Sequence, residues 1–98
     1  MARKARRKSI SGYSHLIMRG NNKQILFEKP EDYRFFISRM ARYCREAGIR
    51  IIAYCLMENH VHMLVNDQNG AVGTMMSRLD SCYARYYNGK YERCGHLF

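Results

Sequence analysis

Two histidines separated by one residue are the part of this sequence best suited to chemistry. His60 and His62 lie in the run NHVHMLV at 59–65. Side chains alternate along a strand, so both imidazoles would project from one face about 7 Å apart, while Val61 and Met63 would enter the other face. Two imidazoles at this spacing can converge on one divalent cation, which polarises a phosphate oxygen during phosphodiester cleavage. The alternative is a pair of half-exposed strand histidines without a ligand.

Strands must position this pair. Residues 49–57 are rich in β-branched and aromatic side chains and predict a central strand. Residues 61–66 predict its antiparallel partner, with Glu58 and Asn59 as a tight connection. Residues 13–18 predict a first strand, which ends at the turn RGNN.

Two further segments have apolar residues at helical spacing. The first opens at Pro30 with two acidic residues behind it and ends at Gly48, and the second is closed by Asn88 and Gly89. The predicted core stripes are Tyr33, Phe36, Ile37, Met40, Ala41 and Cys44 in the first helix, and Val72, Met75, Met76, Leu79, Cys82, Tyr83 and Tyr86 in the second. The order strand, helix, strand, strand, helix predicts an α+β, ferredoxin-like fold with two helices on one face of an antiparallel sheet, its last strand missing or compressed into the tail.

The charge balance favours a polyanionic partner. The chain has 98 residues, 17 Lys+Arg against 8 Asp+Glu, and a net charge of +9, which fits one small domain. Residues 1–11 are predicted to be a basic flexible arm, and residues 12–98 the domain. The arm holds five cations that would bind nucleic acid without sequence preference, unless they only solvate the terminus: Arg3, Lys4, Arg6, Arg7 and Lys8.

Membrane and disulfide-rich secreted classes are disfavoured. The longest apolar run, 51–57, is far shorter than the roughly 18 residues of a membrane span. The basic start lacks the apolar segment of a signal peptide. We therefore predict a cytoplasmic, nucleoid-associated bacterial protein with no membrane partner. The four cysteines, Cys44, Cys55, Cys82 and Cys94, lack the close pairing of zinc ligands and are predicted to be reduced thiols.

Three segments closely resemble the single-tyrosine HUH transposases, namely GYSHLIMRGNN at 12–22, AYCLMENHVHMLV at 53–65 and SRLDSCYARYYN…GHLF at 77–98. The resemblance is to the insertion-sequence-200-like group, and particularly to its REP-associated branch. It implies a nuclease domain that binds hairpins of single-stranded DNA in transposition. It also implies that His60 and His62 bind Mg²⁺ or Mn²⁺, and that a tyrosine on a later helix attacks the scissile phosphate to give a 5′-phosphotyrosine link.

The sequence departs from that family pattern at two places. Glu58 stands where many relatives have Pro or Asp, a turn position at which we expect little consequence. The family's catalytic helix, with the nucleophilic tyrosine and usually a third metal ligand, would follow Phe98, so we expect weak metal binding and no complete strand cleavage by the chain alone. Three tyrosines of the second helix are disfavoured substitutes for the nucleophile, because this helix contributes to the core: Tyr83, Tyr86 and Tyr87.

Contacts with DNA are assigned more loosely. Arg19 and Asn21 match a recurrent Arg-Gly-Asn segment of the family and would contact a backbone phosphate or a hairpin base, although Arg19 could equally be a solvated turn residue. His15 would line the same surface. Arg78 and Arg85, with the arm, would extend a positive track for single-stranded DNA.

Two other functions compete with a truncated nuclease. One is a DNA-binding module without catalysis, either a decayed remnant or a regulator. The other is an RNA-binding domain of the RRM type, which is disfavoured because no Gly-Phe-x-Phe-like signature occurs on the predicted strands. The sequence leaves open whether the chain forms a homodimer.

Overall fold

The computed structural model describes residues 12–98, so the predicted arm with its five basic residues lies outside the described part. The elements are β1 (Tyr13–Arg19), a short 3₁₀ turn (Asn21–Lys23), α1 (Pro30–Glu46), β2 (Arg50–Met57), β3 (His60–Asn66) and α2 (Val72–Lys90). This order confirms the predicted α+β class and the sequence of strands and helices. None of the helices within residues 12–98 has both the length and the apolar character needed to cross a membrane.

The sheet has the order β1-β3-β2, and both pairings are antiparallel. The two-residue connection at Glu58 and Asn59 is confirmed, but the prediction that residues 49–57 form the central strand is wrong. β2 lies at an edge and leaves much of its apolar surface exposed, including Tyr54 at 48%. β3, which carries the two histidines, is the strand paired on both sides. Apolar content therefore did not identify the central strand.

Among residues 12–98, the buried core lies on one face of the sheet. Val61, Met63 and Val65 of β3 are buried in the same cluster as Phe36 of α1 and Met76 of α2. The helices therefore cover this face, and alternation along β3 directs the remaining side chains to the open face. The stripe predicted for α2 needs correction, because Tyr87 is buried where Tyr86 was expected, and the helix continues to Lys90.

A buried carboxylate joins the two helices. Asp32, in the first turn of α1, is fully buried and accepts hydrogen bonds from the end of α2 and from the backbone that enters α1. Burial alone would raise the pKa of Asp32, but the hydrogen bonds outweigh it and hold the pKa well below its usual range. The donors are Lys90 Nζ at 2.7 Å, the Tyr86 hydroxyl at 2.6 Å, the Tyr91 hydroxyl, and the amides of Glu28 and Lys29.

Candidate metal and nucleic-acid site

His60 and His62 lie side by side on the open face of the sheet. Their ring centroids are 4.9 Å apart and the rings are nearly perpendicular. Both side chains are half-buried, whereas Val61 between them is fully buried on the helix side. The pair thus has the common orientation that the alternation of the strand predicts.

Each histidine has one ring nitrogen engaged in a hydrogen bond. His60 Nδ1 lies 2.8 Å from Asn59 Oδ1, and because an amide oxygen only accepts, Nδ1 carries the hydrogen. His62 Nδ1 lies 3.1 Å from Nε2 of His15, whose ring stacks on it. When His62 Nδ1 donates to His15, both members of the pair keep the Nε2 lone pair available for a ligand.

The surroundings of His62 favour its neutral form. Burial lowers its pKa below the ordinary value, and the nearby charges of His60, His15 and Arg19 lower the pKa further. A neutral imidazole retains the lone pair that binds a metal, so this environment suits a ligand better than a cation.

The pair opens into a cavity of about 340 Å³ that also contains two basic side chains. Arg19 at the end of β1 and Lys23 at the end of the 3₁₀ turn line it together with the histidines, Asn59 and Gly20. The turn is fixed against the histidine strand, since Gly20 N donates to Asn59 O at 2.9 Å. Arg19 was predicted from sequence, whereas Lys23 was missed. The sequence offered little to identify Lys23 beyond its positive charge and its position four residues after Arg19.

A second depression, of about 240 Å³, also has His62 in its lining. It is lined mainly by apolar groups of β2 and β3, including Ala53 and Leu64, which are paired with each other, and by His15 of β1. It was not predicted from sequence, because its lining residues come from three strands whose pairing register has no local signature. The two depressions share His62, so a cationic surface and an apolar surface meet at this side chain.

Three other residues that were predicted to contact DNA, Asn21, Arg78 and Arg85, do not line this cavity. Asn21 is exposed in the same turn as Lys23 but does not line the cavity. Arg78 and Arg85 are on α2, in the helix layer behind the sheet. Arg78 donates to Glu46 at 2.9 Å and lies over the Tyr43 ring, so part of its charge is already compensated. The structure does not bring these two arginines to the histidines.

The tyrosines of α2 are engaged within the helix layer. The hydroxyls of Tyr83, Tyr86 and Tyr87 donate to Leu26 O, Asp32 and Glu28, respectively. Burial raises the pKa of all three, and raises that of Tyr87 to about 12 with the help of the Glu28 carboxylate. A phenol with a raised pKa forms the nucleophilic phenolate less readily, so these groups are poorly suited to attack a phosphate.

The two histidines would fill two of the coordination positions of a divalent cation. Within residues 12–98, no group of three or more histidine, cysteine or acidic side chains is placed to hold a metal ion. The two Nε2 atoms would supply two nitrogen ligands and leave other positions to phosphate oxygens and water. Imidazole ligands suit first-row transition ions better than Mg²⁺, which prefers oxygen.

Comparison with known families shows a match over most of this chain. The model described as "Transposase IS200 like" matches residues 8–98, a range that includes every strand and helix described above. Comparison with curated proteins gives no match.

Proposed function

The chain belongs to the IS200-like transposases, a family that acts in DNA transposition, and on this premise we propose that its histidine cavity binds and cleaves single-stranded DNA. The observation that carries the proposal is the meeting of His60 and His62 with Arg19 and Lys23 in one open cavity. Two imidazole nitrogens beside a lysine and an arginine match a phosphodiester bound together with a metal ion.

The side chains at the cavity would have three different roles, which are phosphate binding, metal binding and orientation of the histidine rings. Arg19 and Lys23 would donate charge-assisted hydrogen bonds to the non-bridging oxygens of a DNA phosphate. His60 and His62 would hold Mn²⁺ or Mg²⁺ through their Nε2 atoms. The bound cation would supply a Lewis acid that stabilises negative charge on the phosphate. Asn59 and His15 would keep the two rings in the orientation needed for ligation.

Single-stranded rather than duplex DNA is favoured by the second depression. An apolar surface lined by Ala53 and Leu64 lies beside the cationic cavity, and both include His62 in their lining. An unpaired base can stack on such a surface while its phosphate lies among cations, whereas the bases of a duplex are already stacked and paired. The resemblance noted in the sequence favours a hairpin with a single-stranded flank as the substrate.

Binding without cleavage is the second candidate function. It is favoured by the position of Tyr83, Tyr86 and Tyr87, which lie in the helix layer and donate their hydroxyls to other protein groups. On this alternative the cavity recognises hairpin DNA, and the chain alone forms no covalent link to it.

One experiment separates the two functions. The full chain is incubated with Mn²⁺ and labelled hairpin oligonucleotides whose single-stranded flanks are randomised, and products are resolved before and after denaturation. A covalent protein–DNA adduct that is lost in His60→Ala and His62→Ala supports cleavage. Retained binding without an adduct at saturating protein supports the second function. Absence of hairpin binding overturns both. His96→Ala, in the exposed tail, is the matched control.

A further inference from the structure

The turn that follows β1 has an unusual backbone. Asn22 and Lys23 are consecutive residues with φ of 52° and 60°, in the left-handed region. Asparagine tolerates this region, but a long side chain such as lysine rarely adopts it, and the conformation costs free energy relative to ordinary φ values. Strain of this kind persists only where surrounding structure imposes it, and it is concentrated at functional sites.

The surrounding contacts do impose it. Gly20 N donates to Asn59 O at 2.9 Å, and Leu26 N donates to Glu58 O at 2.8 Å, so both ends of the segment are hydrogen-bonded to the turn between β2 and β3. A Cβ on Gly20 would lie 2.0 Å from the carbonyl oxygen of Gln24, which shows how closely the segment folds on itself. The strained turn is therefore rigidly connected to the residue that precedes His60.

Lys23 presents an uncompensated cation at the cavity. Both Lys23 and Arg19 line it, and neither forms an ion pair with an acidic side chain of residues 12–98. Two like charges at one cavity repel each other, and an anion bound between them relieves this repulsion.

We propose that Lys23 is a phosphate-binding residue of the histidine cavity, which the strained turn holds in place so that Lys23 and Arg19 together bind one DNA phosphate. The proposal rests on the proposed function and adds a residue to it. The strain is then the cost of presenting the lysine from a turn that is tied to the histidine strand. If the turn were strained only because the connection is short, the charge of Lys23 would be irrelevant to binding.

The first test measures the salt dependence of DNA binding. The full chain and its variants are titrated into a fluorescein-labelled oligothymidylate at several NaCl concentrations. Lys23→Gln should weaken binding several-fold and reduce the slope of log K against log[salt] by about 0.7, the value expected for one phosphate contact on a single strand. Lys23→Arg should retain the slope. Arg34→Gln removes the same charge from the exposed surface of α1 and should leave the slope unchanged.

The second test separates the strain from the charge. Lys23→Gly places in the turn a residue that tolerates positive φ, so it should raise the thermal midpoint by about 2–4 °C while weakening DNA binding as much as Lys23→Gln does. A lowered midpoint would contradict the strain.

The outcomes also separate this proposal from the proposed function. If the parent chain binds the oligonucleotide and Lys23→Gln leaves the slope unchanged, the role of Lys23 is wrong and the proposed function stands. If the parent chain binds no single-stranded DNA, both are overturned.

Discussion

The imidazole of His15 on β1 stacks on that of His62 on β3, with 3.1 Å between His15 Nε2 and His62 Nδ1. His15 was predicted from sequence to line the DNA-binding surface, and this contact gives it a more specific position beside His62. A histidine that ligates through Nε2 is usually fixed by a partner on Nδ1, and His15 occupies that position for His62. If His62 binds a metal ion as proposed, His15 is a positioning residue.

His15→Ala should weaken Mn²⁺ binding about tenfold, the loss typical of removing such a partner. His15→Gln, whose amide oxygen can accept from His62 Nδ1, should recover part of that affinity. Isothermal titration of Mn²⁺ into the full chain measures both, with His96→Ala as the control. Equal affinities for the parent and His15→Ala would show that His62 needs no partner.

Asp32→Asn should lower the free energy of unfolding by about 2–4 kcal/mol. One carboxylate oxygen accepts hydrogen bonds from Tyr86 and Lys90, and the other accepts from Tyr91 and two backbone amides. The NH₂ group of asparagine would replace one of these oxygens and face groups that donate hydrogen bonds, so those bonds would be lost. Urea unfolding measures the change. Glu31→Gln is the control, because Glu31 contacts the same Lys90 from the surface and should cost at most about 1 kcal/mol.

The same carboxylate makes the fold sensitive to acid. The pKa of Asp32 is depressed in the folded chain, so the unfolded chain binds the proton more readily. Its stabilising contribution is present above its unfolded pKa of about 3.9 and is lost as pH falls below that value. Urea midpoints recorded from neutral pH down to about pH 3 should fall steeply at the acidic end, and less steeply in Asp32→Asn. Parallel curves for the two proteins would contradict this account.

The tyrosines of α2 should ionise at a higher pH than an unperturbed tyrosine does, because their pKa values are raised. Ultraviolet absorbance during an alkaline titration should show phenolate forming at higher pH in the native chain than in the unfolded chain. Tyr87→Phe should remove a component near pH 12, because burial and Glu28 raise the pKa of Tyr87 to about 12. An activated nucleophile would instead titrate below its ordinary pKa of about 10. Such a component, removed by Tyr83→Phe, Tyr86→Phe or Tyr87→Phe, would reinstate that tyrosine as a nucleophile.

Gly20→Ala should destabilise the chain by about 1–3 kcal/mol and weaken DNA binding, because the added methyl group meets the Gln24 carbonyl and displaces the turn. Its φ of −64° suits any residue, so the effect is steric. Gly73→Ala adds the same methyl group to α2, where nothing lies within 4 Å, and should stabilise the chain by up to about 1 kcal/mol. Thermal unfolding and fluorescence anisotropy measure the two effects. Normal DNA binding by Gly20→Ala would show that the turn is not part of the site.

Local patterns predicted much of this structure. The alternation around Val61 placed both imidazoles on one face, and Gly48, whose φ is 73°, marked the end of the first helix. What depends on distant contacts was not predicted. His15 and His62 are 47 residues apart, and Asp32 meets Tyr86 across 54 residues, so neither contact has a local signature. The pairing of β3 on both sides likewise follows from topology and not from apolar content.

The central position of β3 determines how the histidines can move. Their backbone is hydrogen-bonded within the sheet between β1 and β2, with Arg19 opposite His60 on one side and Met57 opposite it on the other. Local fraying begins at edges and loops, whereas groups in a central strand exchange their amide hydrogens only through large or global opening. The spacing of the two imidazoles is therefore maintained by the cooperativity of the entire sheet, and the hydrogen bond from Gly20 N to Asn59 O connects the cationic turn to the same unit.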